Sequence, residues 1–218
     1  MSQPLSQSRP VLCLVTNREV SHLPLPEAVA QAIAGGVDWI QIRERAESDA
    51  ELLKLSQHIS DVARNTGPVK IWVNGRLDIA LAIDADGLHL SSTGIPAEQA
   101  ASFLASIAEQ APRLALSLAT HSENEIREAQ HWGVDCVQLA PVFAPLSKPT
   151  SRAPLGLNTM AQATTHRVPV LAQGGVTPER CAQLIRAGCA GVAVTGAILQ
   201  SSQPIQAARA FRNALDKA

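Results

Sequence analysis

Short apolar runs alternate with longer amphipathic segments along the whole chain. The run at 11–16 is continuous rather than alternating, which is typical of a strand buried on both faces of a parallel sheet. Further runs of strand length follow at regular spacing. The pattern predicts eight strands, at 11–16, 39–45, 69–73, 87–90, 114–119, 136–140, 168–172 and 192–195.

A helical segment follows each predicted strand. Pro26 can start the first helix and Gly35-Gly36 can end it, while Ser48 is placed to cap the second. The helices are predicted at 26–34, 48–65, 78–83, 96–110, 122–131, 158–165, 178–187 and 204–215.

Eight alternations of strand and helix favour an α/β fold with one domain, a (β/α)8 TIM barrel. The barrel is predicted to span 11–218, after a disordered N-terminal tail at 1–10. An open doubly wound sheet is the alternative, but the first strand-to-helix turn lacks the GxGxxG motif that a dinucleotide would need.

A short glycine-containing motif recurs between helix and strand. Glycine caps the end of a helix and lets the chain turn back. The four copies are Gly35-Gly36-Val37-Asp38, Ala85-Asp86-Gly87, Gly133-Val134-Asp135 and Gly188-Cys189-Ala190-Gly191.

Charge and cysteine content narrow the class of protein. With 18 basic and 19 acidic residues among 218, the chain has no charge footprint for nucleic acid or an anionic membrane. The first ten residues lack an apolar signal core, and no run approaches membrane-spanning length, so we expect a cytoplasmic protein. The cysteines lack zinc or redox spacing and are expected to be reduced core residues: Cys13, Cys136, Cys181 and Cys189.

In strand two, the apolar residues at the start of the stretch 39–45 give way to charged residues within two positions. Gln41, Arg43 and Arg45 alternate along this segment, and two neighbouring guanidiniums need anions to neutralise them. A solvated salt bridge from Glu44 to one arginine explains the segment equally well when it is taken alone. In a TIM barrel, however, the segments after all strands meet at the catalytic face. We therefore expect a ligand site there.

Other polar residues are expected at the same face. Asn74 follows strand three and His121 follows strand five. Ser147 and Lys148 lie in the irregular segment 141–156, and long loops in compact domains are more often functional than not. These residues extend the predicted site around the barrel mouth.

Two glycine-containing turns follow the last two strands. They are Gly174-Gly175, before a predicted helix, and Val194-Thr195-Gly196. Backbone N–H groups and helix N-termini after strands seven and eight form the usual phosphate site of a TIM barrel. The two turns together therefore predict phosphate binding.

These segments, in this order, resemble one superfamily over almost the whole chain. They are Gln41-Ile42-Arg43-Glu44-Arg45, Asn74-Gly75-Arg76-Leu77-Asp78-Ile79-Ala80-Leu81, Asp86-Gly87-Leu88-His89-Leu90, Ala140-Pro141-Val142-Phe143 with Ser147-Lys148, Gly174-Gly175-Val176 and Ala190-Gly191-Val192-Ala193-Val194. The combination resembles the thiamine phosphate synthase/TenI superfamily. The resemblance implies a TIM barrel with a phosphate site that acts in thiamine biosynthesis.

The resemblance also implies a choice between two branches. Synthases join a pyrimidine pyrophosphate to a thiazole phosphate and hold magnesium with two aspartates, but this chain has Gly75 and Gly94 there and Arg45 in place of a lysine. TenI-type proteins keep the barrel and the phosphate site, and the activity known in that branch is a metal-independent proton transfer on a thiazole carboxylate phosphate. The chain is closer to the TenI-type branch, which implies no metal and no other cofactor.

The first predicted function is therefore a thiazole tautomerase-type proton transfer on a thiazole phosphate. Its catalytic candidates are His121, Arg45 and Lys148. This chain has Pro141 where the branch has a histidine, so His121 is the expected proton carrier and His89 the alternative. The predicted ligand-binding residues are Gln41, Arg43, Asn74, Ser147, Gly174, Gly175, Val194, Thr195 and Gly196.

Two other functions stay open. One is thiamine phosphate synthesis with Mg²⁺ held at a rebuilt site that uses Glu44 or Asp78. The other is a non-catalytic sensor that binds thiamine-related phosphates and contacts a partner protein. All three functions require small-molecule thiazole or thiamine phosphates and neither nucleic acid nor a membrane, and a homodimer is left open.

Overall fold

The computed structural model describes residues 9–109, 113–144 and 152–218, and within them eight parallel strands form a closed barrel. Each strand pairs with its neighbours in chain order, and the last strand pairs with the first through Leu12 and Val192. The strands are β1 Val11–Val15, β2 Trp39–Ile42, β3 Lys70–Asn74, β4 Gly87–Leu90, β5 Ala115–Thr120, β6 Cys136–Leu139, β7 Val170–Gln173 and β8 Gly191–Val194. The predicted (β/α)8 TIM barrel is confirmed.

Helices surround the barrel. In the described part of the chain they are α1 Leu25–Ala34, α2 Asp49–Thr66, α3 Leu77–Ala82, α4 Ala97–Ser106, α5 Glu123–His131, α6 Gly156–Ala163, α7 Pro178–Arg186, α8 Gly196–Leu199 and α9 Pro204–Asp216. Helices α1 to α7 each connect one strand to the next, and α8 and α9 follow the last strand. The predicted capping box at Ser48 is present. The Ser48 hydroxyl accepts the Glu51 N–H, and the Glu51 carboxylate accepts the Ser48 N–H.

Two helix predictions differ clearly from the structure, and two short helices among the described residues were not predicted. The helix predicted at 96–110 ends at Ser106, and the one predicted at 158–165 begins at Gly156. Helix α8 was not predicted, because four residues are too few to show helical spacing. A short 3-10 helix at Arg18–Val20 was missed for the same reason.

The amino-terminal half of the barrel interior is filled by apolar side chains. Trp39 and Trp72 are buried there with ring centroids 4.9 Å apart. A Cβ at Gly87 would lie 2.7 Å from Cδ2 of Trp72, so only glycine leaves room for this indole. With one end closed in this way, the opposite mouth is left for a ligand.

Three aspartates fasten neighbouring strands at the closed end of the barrel. Each belongs to a copy of the recurring motif and uses its carboxylate to accept the N–H near the start of the preceding strand. The bonds run from Leu12 to Asp38, from Ile71 to Asp86 and from Leu116 to Asp135, each 2.8 Å long. The fourth copy has no aspartate for this bond. Its Ala190 oxygen accepts the N–H of Val11 on the adjoining strand, just as the backbone oxygens of Asp38 and Asp86 accept those of Lys70 and Ala115.

Asp38 also holds the chain termini against the barrel. Arg212 on α9 donates to it at 2.9 Å and Arg9 at 2.7 Å. The predicted N-terminal tail falls mostly on residues 1–8, outside the described residues, and Arg9 is tied to the barrel by this contact.

The four cysteines are free and buried. Burial raises the pKa of Cys136 and Cys189 to about 12, and that of Cys181 to about 11, so these thiols stay protonated and inert. Among the described residues, no helix has both the length and the apolar character needed to cross a bilayer.

Candidate functional site

A cavity of about 630 Å³ opens at the carboxyl ends of the strands, and all eight strands or the segments after them contribute to its wall. The predicted residues that line it are Gln41, Arg43, Arg45, Asn74, His121, Gly174, Gly175, Val194, Thr195 and Gly196. Ser147 and Lys148 lie outside the described residues. The structure therefore brings ten predicted residues to one cavity, while their individual roles stay predictions.

The cavity floor contains a buried pair of amides. Gln138 donates through Nε2 to Oε1 of Gln41 at 2.6 Å, and both side chains are buried. Oε1 of Gln138 is buried and has no hydrogen-bond partner among the described residues. Gln138 was not predicted as a site residue, although a single polar residue inside an apolar strand is a recognisable signal, since alternate residues of a strand point to the same face.

His89 also lies on the floor but does not suit the role of proton carrier. Its Nδ1 is 2.9 Å from Oγ of Ser117, and the ring is buried. Burial, followed by the positive charge of Arg43, lowers the pKa of His89 to about 3. At neutral pH the ring is uncharged and serves as a fixed hydrogen-bonding group.

His121 lies higher on the wall, at the end of β5. Its Nδ1 is 2.6 Å from the backbone oxygen of Ala140 and its Nε2 is 3.3 Å from Oγ of Ser92. A carbonyl oxygen can only accept, so Nδ1 carries the proton and Nε2 of the neutral ring is left as an acceptor. His121 is thus the candidate base of the cavity.

Three arginines contribute positive charge to the cavity wall: Arg43, Arg45 and Arg152. Burial, and next the neighbouring charge of Arg45, lower the pKa of Arg43. Arg152 was not predicted, because it lies in an irregular segment without periodicity. The arginines make this part of the cavity an anion-binding surface.

The simpler interpretation of Glu44 as a salt-bridge partner of Arg43 or Arg45 does not describe its hydrogen bonding. Glu44 accepts the backbone N–H of Arg18 at 2.9 Å through Oε2. It borders a separate cavity of about 240 Å³ rather than the main one. Burial raises the pKa of Glu44, which this backbone hydrogen bond partly opposes.

The turn after β7 requires both of its glycines. Gly174 and Gly175 have φ of +91° and +60°, and a Cβ on either would lie 2.8 Å from Pro141 or Phe143. The segment after β6 packs this closely because Val142 N–H donates to the oxygen of Gln173 at 2.8 Å. The turn is therefore held against its neighbour with little freedom to move.

Bare amides face the same part of the cavity. The N–H groups of Gly175, Gly196 and Ala197 donate to no acceptor among the described residues, and the cavity wall includes all three residues. Arg180 donates to the oxygen of Gly175 and its guanidinium lies 4.5 Å from the ring centroid of Phe143. This arrangement has the chemistry of a phosphate site.

The cavity does not have the ligands that Mg²⁺ requires. Hard divalent cations bind carboxylate oxygens, yet no Asp or Glu in the described part of the chain lines the cavity. Asp78, one of the predicted substitutes, is held by Arg76 at 3.0 and 2.6 Å. The described residues also contain no group of three or more His, Cys, Asp or Glu that could hold a metal. The donor set does not fit magnesium.

Comparison with known proteins identifies the family. The sequence model described as thiamine monophosphate synthase matches residues 12–198. The chain belongs to the thiamine monophosphate synthase family. A thiamine-phosphate synthase of Chlorobium luteolum is 34% identical over 207 residues, covering 94% of this chain and 93% of the relative. Another from Moorella thermoacetica is 34% identical over 206 residues, covering 94% and 95%.

Solved structures extend this result. The thiamine phosphate pyrophosphorylase of Pyrococcus furiosus superposes with a TM-score of 0.84 at 26% identity, covering 95% of this chain and 96% of that one. A geranylgeranylglyceryl phosphate synthase of Thermoplasma acidophilum has a TM-score of 0.70 at 15% identity, which shows a common fold only. Within the thiamine monophosphate synthase family, these relatives support the synthase that sequence analysis placed second. They give no specific support to the TenI-type branch that it placed first.

Proposed function

We propose that this protein is a thiamine-phosphate synthase, a transferase that joins a pyrimidine pyrophosphate to a thiazole phosphate and releases pyrophosphate. The observation that carries the proposal is the pairing of two anion-binding surfaces in one cavity, arginines on one part and bare amides on another. Two substrates that each carry phosphate need two such surfaces. Relatives named thiamine-phosphate synthase at 34% identity over nearly the whole chain support the same reaction.

The two surfaces suggest how the substrates are distributed. The amides of Gly175 and Gly196 suit a compact phosphate monoester, the thiazole phosphate. The guanidiniums of Arg43 and Arg45 suit the larger charge of a pyrophosphate. Gln41, on the floor below the arginines, then lies where the pyrimidine ring would be placed.

The test is direct synthesis. The purified protein is incubated with pyrimidine pyrophosphate and thiazole phosphate, once with excess Mg²⁺ and once with a chelator, and thiamine phosphate and pyrophosphate are quantified. We expect equal amounts of the two products. Absence of product under both conditions would reject the synthase, and ligand-induced thermal stabilisation without turnover would favour the sensor.

A tautomerase is the second candidate, favoured by the geometry of His121. Its Nε2 is the acceptor nitrogen of a ring fixed by Ala140, in a cavity that also contains the phosphate-binding amides. A proton transfer needs such a base and no metal. Aromatisation of the thiazole carboxylate phosphate, lost in His121→Ala and retained in His131→Ala on the exterior helix α5, would support this candidate instead.

A further inference from the structure

We propose that this protein binds the pyrophosphate of its substrate through arginines and catalyses the transfer without a divalent cation. The inference rests on the proposed synthase function and goes beyond it. It concerns the surface formed by Arg43, Arg45 and Arg152, here called the arginine wall.

First, the charged side chains that line the cavity are positive among the described residues. The arginine wall contributes three guanidiniums, whereas no described carboxylate lines the cavity. A magnesium ion shares the charge of a pyrophosphate with carboxylates that hold it in place. Here a free dication would meet cations rather than carboxylates. The wall is suited to the bare anion, not to its magnesium complex.

The second argument is that the nearby carboxylates have other roles. Asp78 is bound by two nitrogens of Arg76, which also contacts Asp49 at 2.7 Å. Glu44 accepts the backbone N–H of Arg18 outside the main cavity. To serve a metal, Asp78 would have to give up its bonds to Arg76. Oε1 of Glu44 has no hydrogen-bond partner among the described residues, but Glu44 borders the smaller cavity and not the main one.

The third argument is the mutual repulsion within the arginine wall. Arg43 is partly buried, and the charge of Arg45 acts against its protonated form. A polyanion between the two guanidiniums removes this repulsion and accepts hydrogen bonds from both. Glu44 opposes the effect of Arg45 on Arg43, and a bound pyrophosphate would add to this neutralisation.

The reaction balances without a metal. A lone pair of the thiazole nitrogen forms a bond to the methylene carbon of the pyrimidine substrate, and the bond from that carbon to the pyrophosphate oxygen breaks. The leaving oxygen takes the electron pair, and the added negative charge on pyrophosphate is stabilised by the arginine wall. No proton, oxidant or reductant is needed in this step.

The central experiment measures the effect of Mg²⁺ separately on binding and on turnover. Calorimetric titration with inorganic pyrophosphate is carried out in a chelator and then in excess Mg²⁺. We expect binding in the chelator, with Mg²⁺ leaving the affinity unchanged or lowering it because Mg²⁺ sequesters the free anion. Synthesis is expected to keep at least half of its rate in the chelator. An increase in affinity or rate of tenfold or more with Mg²⁺ would overturn the inference while leaving the synthase intact.

Two variants assign the effect to the arginine wall. Arg43→Gln should weaken pyrophosphate binding about tenfold or more, the loss expected for one charged hydrogen-bonding group. Arg113→Gln is the matched control, since Arg113 is mostly exposed and pairs with Asp135 at the closed end of the barrel. Equal affinity in Arg43→Gln and Arg113→Gln would contradict the proposal.

A third variant introduces the missing carboxylate. Gly75 lies beside the cavity residue Asn74, has φ of +69°, and has no atom within 4 Å of the place where a Cβ would be added. Aspartate tolerates this backbone conformation better than most residues. Gly75→Asp should bind pyrophosphate more weakly than the natural protein in the chelator. Adding Mg²⁺ should restore the affinity of the variant, whereas it should not increase the affinity of the natural protein. A Mg²⁺ response of the same size in both proteins would count against the arginine wall.

Discussion

Only one of the two polar atoms of the Gln138 amide makes a hydrogen bond among the described residues. Nε2 donates to Gln41, while the buried Oε1 has no partner in the described part of the chain. A buried polar atom without a partner costs about 1–3 kcal/mol. Such an atom on a cavity floor is a natural acceptor for a ligand N–H.

Gln138→Leu is expected to separate ligand binding from stability. The substitution removes the unpartnered oxygen but leaves Oε1 of Gln41 without its donor, so the free energy of unfolding should change by no more than about 1 kcal/mol. Affinity for an aminopyrimidine ligand should fall about tenfold. Urea unfolding and calorimetric titration measure the two effects. Unchanged affinity would mean that Oε1 does not contact the ligand.

His89 should make the protein sensitive to mild acid. Burial and Arg43 lower its pKa to about 3 in the folded state, against roughly 6.5 for an unfolded histidine. The folded state therefore binds fewer protons between these values, so this contribution to stability is complete above pH 6.5 and is lost as the pH falls towards 3. The expected slope is about 1.4 kcal/mol per pH unit.

The variant His89→Asn tests this slope. Asparagine keeps a polar group near Ser117 but cannot take up a proton in this range. Unfolding in urea at pH 7.5, 6.5, 5.5 and 4.5 should show a shallower loss of stability in the variant than in the natural protein. Parallel curves would show that His89 is not the titrating group.

Among the loops, the turn after β7 depends most clearly on its neighbour. The turn reaches the cavity only because glycine leaves room for the segment at 141–144. In Gly175→Ala, the new Cβ would lie 2.8 Å from Cβ of Phe143 and close to the backbone oxygen of Ala144. One of the two segments must then move, and with it the amides of the phosphate site.

Gly175→Ala should therefore raise the Kd for thiazole phosphate about tenfold or more. Gly133→Ala is the matched control, because Gly133 has φ of +71° but no atom within 4 Å of the added Cβ. Both variants carry a backbone cost of about 1–2 kcal/mol, visible in thermal unfolding. Only Gly175→Ala should lose phosphate affinity, and equal losses would reject the close-packing explanation.

The strands and most helices could be predicted because buried parallel strands and amphipathic helices have distinct periods. The boundaries of β4 were predicted without error, whereas β2 ends at Ile42, three residues before the end of the stretch 39–45 that was predicted as strand two. Helix α8 could not be found, since four residues carry no period. The ten cavity residues followed from one rule, that polar ends of barrel strands converge.

Other residues of the cavity could be identified only from the three-dimensional structure. Gln138 lies within an apolar run, where its inward direction depends on the strand register. Arg152 belongs to the segment predicted as irregular, 141–156, where no periodicity indicates which residues line a cavity. The choice between branches depended on the relatives, because missing metal ligands alone cannot distinguish a changed mechanism from a changed reaction.

The whole barrel is fastened at its closed end by three carboxylates, and Asp38 is the most heavily bonded of them. It accepts from Leu12 and from Arg212, whose side chain is 7% exposed. Asp135 makes the equivalent bond to Leu116, but its arginine, Arg113, is 59% exposed. The two sites differ in the burial of the arginine and in the second arginine, Arg9, that Asp38 also binds.

Asp38→Asn should therefore destabilise the protein by about 3 kcal/mol, because the buried Arg212 would keep only the half-exposed Asp216 as an ionic partner among the described residues. Asp135→Asn removes the ion pair with the exposed Arg113 at an equivalent strand position. The loss of that pair should cost no more than about 1 kcal/mol. Urea unfolding of both variants at neutral pH measures the difference. Equal losses would mean that the strand N–H, rather than Arg212, dominates the stability of this end.

The arginine wall has a consequence for how fast ligands arrive. The protein as a whole carries a formal charge of −1, so its attraction for anions comes from the local field of the cavity and not from its net charge. A concave surface of one sign concentrates field lines and accelerates the diffusional capture of oppositely charged molecules. Added salt screens this field over about 10 Å at 0.1 M. The association rate of a pyrophosphate-bearing substrate should therefore decrease steeply with ionic strength, while that of a neutral pyrimidine should not.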